Sequence, residues 1–261
     1  MPPRADILDV GTGAGHWALT VAQVVIAARF TLFDRDISAL DDALLGEINR
    51  LSDRTVVCSG SAYALPFPSN AFDFVTAQTL LIHLADPQVA LGEMLRVLRP
   101  GGLLVCTEPF DLINCARVDP TMLDEGPQAL VEHFEFWTRF HHGRKLLGLG
   151  DLNIAVRLPD MFRRMDLQSI RAWQSDRTVV LQPPYSSPEE HAFVSDALGA
   201  PRVESDQLVA IAVAGGCDER LARAYLAQSA QRSAERRSRL LAQTLTQTWS
   251  SGLQIVAGRK A

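Results

Sequence analysis

An α/β chain with a mostly parallel sheet is what the sequence predicts, and three observations carry the prediction. Short apolar runs that read as buried strands, Ile7 to Val10 first and Phe30 to Asp34 second, alternate with stretches of helical periodicity. Three alternating glycines, Gly11, Gly13 and Gly15, join the first run to the first helical pattern. At 261 residues and 47% hydrophobic content the chain can bury a full core, as one domain or as one domain with an inserted subdomain.

The first element is Ile7-Leu8-Asp9-Val10, followed by Gly11-Thr12-Gly13-Ala14-Gly15 and a helix whose apolar face is read as Trp17, Leu19, Val21, Val24 and Val25. A residue without Cβ takes positive φ freely and lets a ligand approach the backbone, so this loop suits a small molecule. Its spacing narrows the choice. A dinucleotide loop reads G-x-G-x-x-G, and here His16 stands where the third glycine belongs. A phosphate loop of the form G-x-x-x-x-G-K-[ST] is also missing. The stretch from Leu8 to Gly15 resembles motif I of class I S-adenosylmethionine-dependent methyltransferases. That resemblance implies S-adenosyl-L-methionine as methyl donor, with Asp9, Gly11, Thr12, Gly13 and Gly15 in its binding loop.

Three further stretches extend the resemblance in the family's order. Phe30-Thr31-Leu32-Phe33-Asp34 is a second strand ending in an acid about 20 residues beyond the glycines. An acid there accepts both ribose hydroxyls; Asp34 is preferred over Asp36, with Arg35 beside it. Ser38 and Asp41 resemble a capping box that starts the next helix. Gly60-Ser61-Ala62-Tyr63-Ala64-Leu65-Pro66-Phe67 through Phe72-Asp73-Phe74-Val75 is similar to the family's G-D-A-x-x-L-P-F segment and departs from it at Ser61. The adenine would then be held by the Ser61 hydroxyl, by backbone near Ala62 and by apolar packing. Gln78, at the carboxyl end of the fourth strand, is where family members contact the methionine part of the cofactor. Leu91, Met94, Leu95 and Leu98 form a helical stripe; Pro100 is read as ending the helix and Gly101-Gly102 as the turn into a fifth strand running to Glu108.

Beyond Glu108 the resemblance thins. Leu130, Phe134, Trp137, Phe140 and Leu147 recur at helical spacing between Pro127 and Leu147, as a core helix or as one that lines the acceptor. Residues 151–159 with Phe162 and Leu167 resemble the family's approach to a sixth strand, about Leu167 to Trp173, with Asp166 where glycine is common. A helical insertion is expected at about 187–248, after Pro183-Pro184. Its arginines at 220, 223, 232, 236, 237 and 239 alternate with apolar residues and glutamates, as on the solvated face of an amphipathic helix. Residues 252–260 resemble the family's last, antiparallel strand. The whole then reads as a Rossmann-like seven-stranded, mostly parallel sheet with helices on both faces and a helical C-terminal insertion. Residues 1–110 are taken as the cofactor half and 111–261 as the acceptor side of one structural domain.

A net charge of −5 argues against a nucleic-acid partner. No apolar run is long enough to cross a bilayer and no signal peptide is visible, so a cytoplasmic protein without a membrane partner is expected. Cys58 and Cys106 lie in strand-like runs as small apolar residues, and Cys115 and Cys217 lack partners at metal-ligand spacing, so no metal is expected. Only Met1 to Arg4 precede Ala5-Asp6, whereas the family carries a few dozen residues there. Either the start lies further upstream or the lid over the cofactor comes from the C-terminal half. Surface patterning leaves oligomeric state open, a homodimer included.

The resemblance implies methyl transfer to a small, largely apolar or aromatic metabolite, with oxygen as the expected acceptor atom. The sulfonium methyl is already electrophilic, so catalysis rests mainly on holding the acceptor in line with it. If a general base exists, His83 is the candidate, since it follows the fourth strand and imidazole titrates near neutral pH. His141 and His142 on the Pro127–Leu147 helix are weaker candidates. Two alternatives stay open: a methyltransferase-like scaffold or cyclase-like protein without turnover, and an NAD(P)-dependent oxidoreductase, which would need the missing third glycine.

Overall fold

The computed structural model describes residues 4–25, 27–115, 120–175, 178–199, 204–250 and 252–261. Along them run strands β1 (Asp6–Val10), β2 (Arg29–Asp34), β3 (Arg54–Ser59), β4 (Phe72–Gln78), β5 (Leu98–Pro109), β6 (Gln168–Gln174), β7 (Thr178–Leu181), β8 (Gln247–Ser250) and β9 (Leu253–Arg259). The helices are α1 (His16–Val24), α2 (Asp42–Leu51), α3 (Pro87–Val97), α4 (Asp111–Cys115), α5 (Pro120–Asp124), α6 (Pro127–Leu146), α7 (Leu158–Arg164), α8 (Pro188–Leu198), α9 (Ser205–Ala214) and α10 (Glu219–Leu241). Three short 3₁₀ turns lie at Ile37–Ala39, Leu81–His83 and Ile154–Arg157. No helix of the described residues is long and apolar enough to cross a membrane.

The chain divides into two compact units. A sheet unit comprises Met1–Phe110, Leu152–Gln174 and Leu253–Ala261; a helical unit comprises Asp111–Asp151 and Ser175–Gly252. The last two strands of the sheet unit come from the C-terminal half of the chain.

In the sheet unit seven strands run in the order β3-β2-β1-β4-β5-β9-β6. All pairs are parallel except those of β9, which lies antiparallel between β5 and β6. This is the Rossmann-like, mostly parallel sheet that the sequence predicts. Successive strand residues point to opposite faces, so the apolar runs bury both. Leu8, Val10, Phe33, Val75, Leu104 and Val256 pack on one face with Leu91, Met94 and Val97 of α3 and Leu158 and Phe162 of α7. Ile7, Phe30, Leu32, Phe74 and Val105 pack on the other with Ala18, Val21 and Ala22 of α1 and Ile48 of α2. The expected apolar face of α1 packs there too, with Val21 buried and Trp17, Leu19 and Val25 partly so, while Val24 is exposed.

Local chemistry sets several boundaries. The Asp41 carboxylate accepts the Ala43 and Leu44 N–H groups and caps α2. Ser38 does not form the expected capping box, because it lies inside the 3₁₀ turn Ile37–Ala39 and donates to Asp36. Pro100-Gly101-Gly102 is a bulge within β5 rather than a separate turn: pairing starts at Phe72 with Leu98 and resumes at Phe74 with Leu103, leaving extra residues on β5. Asp166, with φ 59, takes the left-handed conformation ahead of β6 that favours glycine. The ammonium of Lys260 donates to the carbonyls of Leu95 and Leu98 and to Asn70 Oδ1, closing the end of α3.

The segment between β3 and β4 is held by an ion pair absent from the sequence reading. Glu93 accepts the Leu65 N–H, while Arg96 binds Glu93 and donates to the carbonyls of Leu65 and Phe67. Leu65 is thereby held in the core, and the Phe67 ring meets Phe33 and Phe72 edge-on.

In the helical unit α6 packs on α9 through two glycines. A Cβ on Gly143 would overlap the Ile211 carbonyl, and one on Gly215 would overlap that of Arg139. This contact rotates the buried face of α6 to Ala129, Phe136, Phe140, His141 and Gly143, and leaves the expected stripe members Phe134 and Leu147 exposed. The expected insertion contains α8, α9 and α10 but ends differently. Residues 247–250 form β8, paired antiparallel with β7 outside the main sheet. Both segments carry β-branched residues yet are only four residues long, too short for a period to show. Among the arginines of α10, Arg223 pairs with Asp206 and Glu219, and Arg232 with Glu125.

Gly143→Ala is expected to destabilise the protein by about 1–3 kcal/mol, the range for overpacking a tight contact. Urea denaturation followed by circular dichroism measures it, and a midpoint equal to that of wild type would refute the close contact between α6 and α9.

Candidate functional site

The order of the sheet reverses between β1 and β4, since β2 and β3 lie on one side and β5 on the other. In open α/β sheets ligands bind outside the carboxyl ends of the strands at such a point. A cavity of about 620 Å³ lies there, bounded by the β1–α1 loop, the end of β2, the residues after β3, and the end of β4 with its following turn. Its size falls within the roughly 300–1,000 Å³ typical of small-molecule sites.

Of the residues singled out in the sequence, Gly11, Thr12, Gly13, Asp34, Arg35, Ser61, Ala62, Gln78 and His83 line this cavity. Asp9 is buried in β1 and does not reach the wall, and Gly15 stands behind the loop as the N-cap of α1. Asp36 is also off the wall, occupied with the Ser38 amide and hydroxyl. His141 lies in the helical unit, buried, with Nε2 2.8 Å from Asp111 Oδ2. His142 is exposed on the same helix.

The glycine loop is tied to β2. The Gly11 and Thr12 N–H groups both donate to the Phe33 carbonyl, at 2.7 and 3.1 Å. The Gly13 N–H donates to Asp34 Oδ2 at 2.8 Å, and the Asp36 N–H to Asp34 Oδ1 at 3.0 Å. Each Asp34 oxygen has further lone-pair capacity. Gly11 has φ +75, and a Cβ there would lie 2.9 Å from the Leu80 side chain; Gly13 has φ +50, and a Cβ there would meet nothing within 4 Å, only the open cavity. One glycine therefore serves packing and the other leaves room for a ligand. The Ser61 hydroxyl oxygen accepts the Tyr63 N–H, which leaves its proton free to donate.

The sequence reading missed several wall residues. His16, Trp17, Phe33, Tyr63, Thr79, Leu80 and Leu84 also line the cavity. Trp17, read as part of an apolar helix face, packs partly buried against the core and also donates its indole N–H to Thr76 at 2.7 Å and presents to the cavity. Its position two residues after the last loop glycine was the available signal. Glu108 was missed as well. Fully buried at the end of β5, it accepts the N–H groups of Leu80, Leu81 and Ile82 from across the sheet.

Two carboxyl groups here hold their protons unusually tightly. Burial, reinforced by the Asp34 charge and opposed by the Thr12 hydroxyl, pushes Asp9 up to about 7. Burial also pushes Glu108 up to about 7, against the three backbone donors that favour its charged form. Among the described residues no group of three or more His, Cys, Asp or Glu is placed to hold a metal ion.

Residues 8–106 match the family model of a methyltransferase domain. This stretch, 38% of the chain, is thus similar to methyltransferase domains. An uncharacterised methyltransferase of Schizosaccharomyces pombe is 37% identical to it over 115 residues, 42% of this chain and 41% of that protein. A demethylmenaquinone methyltransferase of Staphylococcus aureus is 38% identical over 103 residues, 39% of this chain and 42% of that protein. The chain thus spans about two fifths of the length of these curated relatives. The YcgJ protein of Bacillus subtilis shares the fold, with a TM-score of 0.50 and 17% identity over 99% of this chain and 92% of that one.

The resemblance to methyltransferase domains implies S-adenosyl-L-methionine as methyl donor, and the cavity fits it. Its wall offers an acid with spare acceptor capacity, a glycine whose missing Cβ leaves open space, and apolar surface from Phe33, Leu80 and Leu84.

Because Asp9 binds its proton more tightly folded than unfolded, its contribution to stability is full below the ordinary aspartate range and is lost as pH rises toward about 7. Asp9→Asn carries no such loss. Its melting temperature relative to wild type is expected to rise between about pH 5 and about pH 8. Thermal melts at the two pH values check this; a constant difference would show that Asp9 ionisation costs the fold nothing.

Proposed function

We propose that the protein transfers a methyl group from S-adenosyl-L-methionine to a small, largely apolar or aromatic acceptor, at oxygen, by in-line displacement. The observation that carries this reading is the pairing of Asp34 with the Gly11–Gly13 loop on one cavity wall, in a domain of the methyltransferase family. Trp17, Tyr63, Leu80 and Leu84 on the same wall support an apolar or aromatic acceptor.

The roles divide as follows. Asp34 accepts the ribose hydroxyls, with Arg35 beside it, and the open face of Gly13 admits the cofactor against the backbone. Ser61 donates its hydroxyl proton to the adenine edge, next to Ala62, and Gln78 contacts the methionine part. Thr12 offers a buried hydroxyl, while Asp9 and Gly15 shape the loop from behind. The sulfonium supplies an electrophilic methyl group, so the protein's task is to orient the acceptor and exclude water. His83, on the wall at the end of its 3₁₀ turn, takes the proton from an acceptor hydroxyl.

Calorimetric titration with S-adenosylmethionine, S-adenosylhomocysteine and NADH tests the reading. Binding of the first two alone is expected, and binding of none would favour a scaffold without turnover. Asp34→Ala should weaken S-adenosylhomocysteine binding by about 10-fold or more, as loss of a hydrogen-bonded charge implies. Asp36→Ala should stay within about threefold of wild type, since removing a solvent-exposed cap acts locally. Equal effects would overturn the choice of acid. Once an acceptor has been found by screening with labelled donor, His83→Ala should lower kcat by about 10²-fold without changing donor affinity. Unchanged turnover at saturating acceptor would leave His83 with a packing role only.

A further inference from the structure

The turn that follows β4 forms one side of the cavity, contributing Thr79, Leu80, His83 and Leu84. Within the turn the His83 and Leu84 N–H groups donate to the Leu80 and Leu81 carbonyls. Thr79 is β-branched yet adopts φ 53, a conformation rare for such residues and costing about 1–3 kcal/mol. The 3₁₀ turn Leu81–His83 begins at Leu80, whose side chain offers no cap. The first N–H groups of the turn converge on one carboxyl group: Leu80 and Leu81 donate to Glu108 Oε1 at 3.0 and 2.8 Å, and Ile82 to Oε2 at 3.4 Å. The neighbouring Thr79 N–H donates to the Thr107 carbonyl at 2.8 Å. The end of β5 thus anchors a strained turn at the amides that its internal bonds leave over.

That grip reaches the cofactor loop. Leu80 packs directly over Gly11, where even one added carbon would touch it, so the height of Leu80 sets how far the glycine loop can close. His83 lies on the same short turn, its N–H bonded to the Leu80 carbonyl at 3.0 Å. A displaced turn moves both together.

We propose that Glu108 is a positioning residue of the methyltransferase site, holding the Thr79–Leu84 turn so that Leu80 abuts the cofactor loop and His83 faces the cavity. This rests on the cofactor reading above. An acid suits the task because a single carboxyl oxygen accepts two N–H groups at once, here those of Leu80 and Leu81, while the other lies toward Ile82. Glu108 is fully buried and contributes nothing to the cavity wall, so its effect is indirect.

Two variants of the full chain separate positioning from stability. Glu108→Gln keeps an oxygen for the Leu80 and Leu81 amides; Glu108→Met fills the space with no acceptor. Phe162→Leu, in the core away from the cavity lining, serves as a merely destabilised control. Hydrogen exchange without ligand is expected to speed up by about 10-fold or more at Leu80, Leu81 and Ile82 in Glu108→Met, with β4 amides unchanged and Glu108→Gln near wild type. S-adenosylhomocysteine affinity, measured by calorimetry well below each melting temperature, should fall by about 10-fold in Glu108→Met and within about threefold in Glu108→Gln and Phe162→Leu. Unaltered exchange in the turn overturns the proposal, as does faster exchange with wild-type affinity, which would mark Glu108 as structural only. Equal loss in Glu108→Met and Phe162→Leu overturns it too. A wild-type protein that binds no S-adenosylhomocysteine fails the cofactor reading itself, and this proposal falls with it.

Discussion

A sheet buried on both faces leaves its ligand little choice of place. Strands β1 and β4 lie side by side, yet the chain leaves β1 toward β2 on one side and β4 toward β5 on the other. Two connections that diverge from adjacent strand ends cannot cover the gap between them. The cavity, the glycine loop on its floor and the turn after β4 on its side all follow from that reversal. Every other residue of the site is placed by how it is tied back to this gap.

The ties are mostly to the backbone. Phe33 at the end of β2 accepts two amides of the glycine loop through its carbonyl, and the next residue, Asp34, accepts a third through its side chain. Across the gap Glu108 takes three amides of the opposing turn. Asp34 stands on the cavity wall, where a ligand can share it, whereas Glu108 is sealed beneath the turn and its proton affinity rises accordingly. A carboxyl group thus lies open at the cavity wall in one place and is sealed into the architecture in the other, and solvent access separates the two.

Away from the cavity the sheet unit uses charge differently. Arg99 bridges Asp6 and Asp73 at the amino ends of β1 and β4, and Arg96 with Glu93 clamps the Leu65–Phe67 segment. These pairs are partly solvated, so each is worth little alone. Their value is in register, because they hold segments distant in sequence at fixed heights beside the strands. The helical unit depends on shape instead, with Gly143 and Gly215 letting two backbones approach where no side chain fits.

Local sequence determined what local chemistry can express. The apolar runs, the glycine spacing after Val10, the acid closing β2 and the final strand after residue 252 are each written in a few neighbouring residues, and they suffice for the sheet and for the likeness to methyltransferase domains. What the tertiary structure alone decided has its cause in residues far apart. The buried face of α6 is set by a glycine just past the end of another helix, β8 exists because β7 is there to pair with it, and Trp17 meets the cavity because Thr76 of β4 takes its indole proton. Glu108 is the clearest case: nothing around it in the sequence distinguishes it from the end of an ordinary strand, since the three amides it holds lie 26 to 28 positions earlier in the chain. A hydrogen bond across a sheet leaves no period or motif in the sequence, and only folding brings its two ends together.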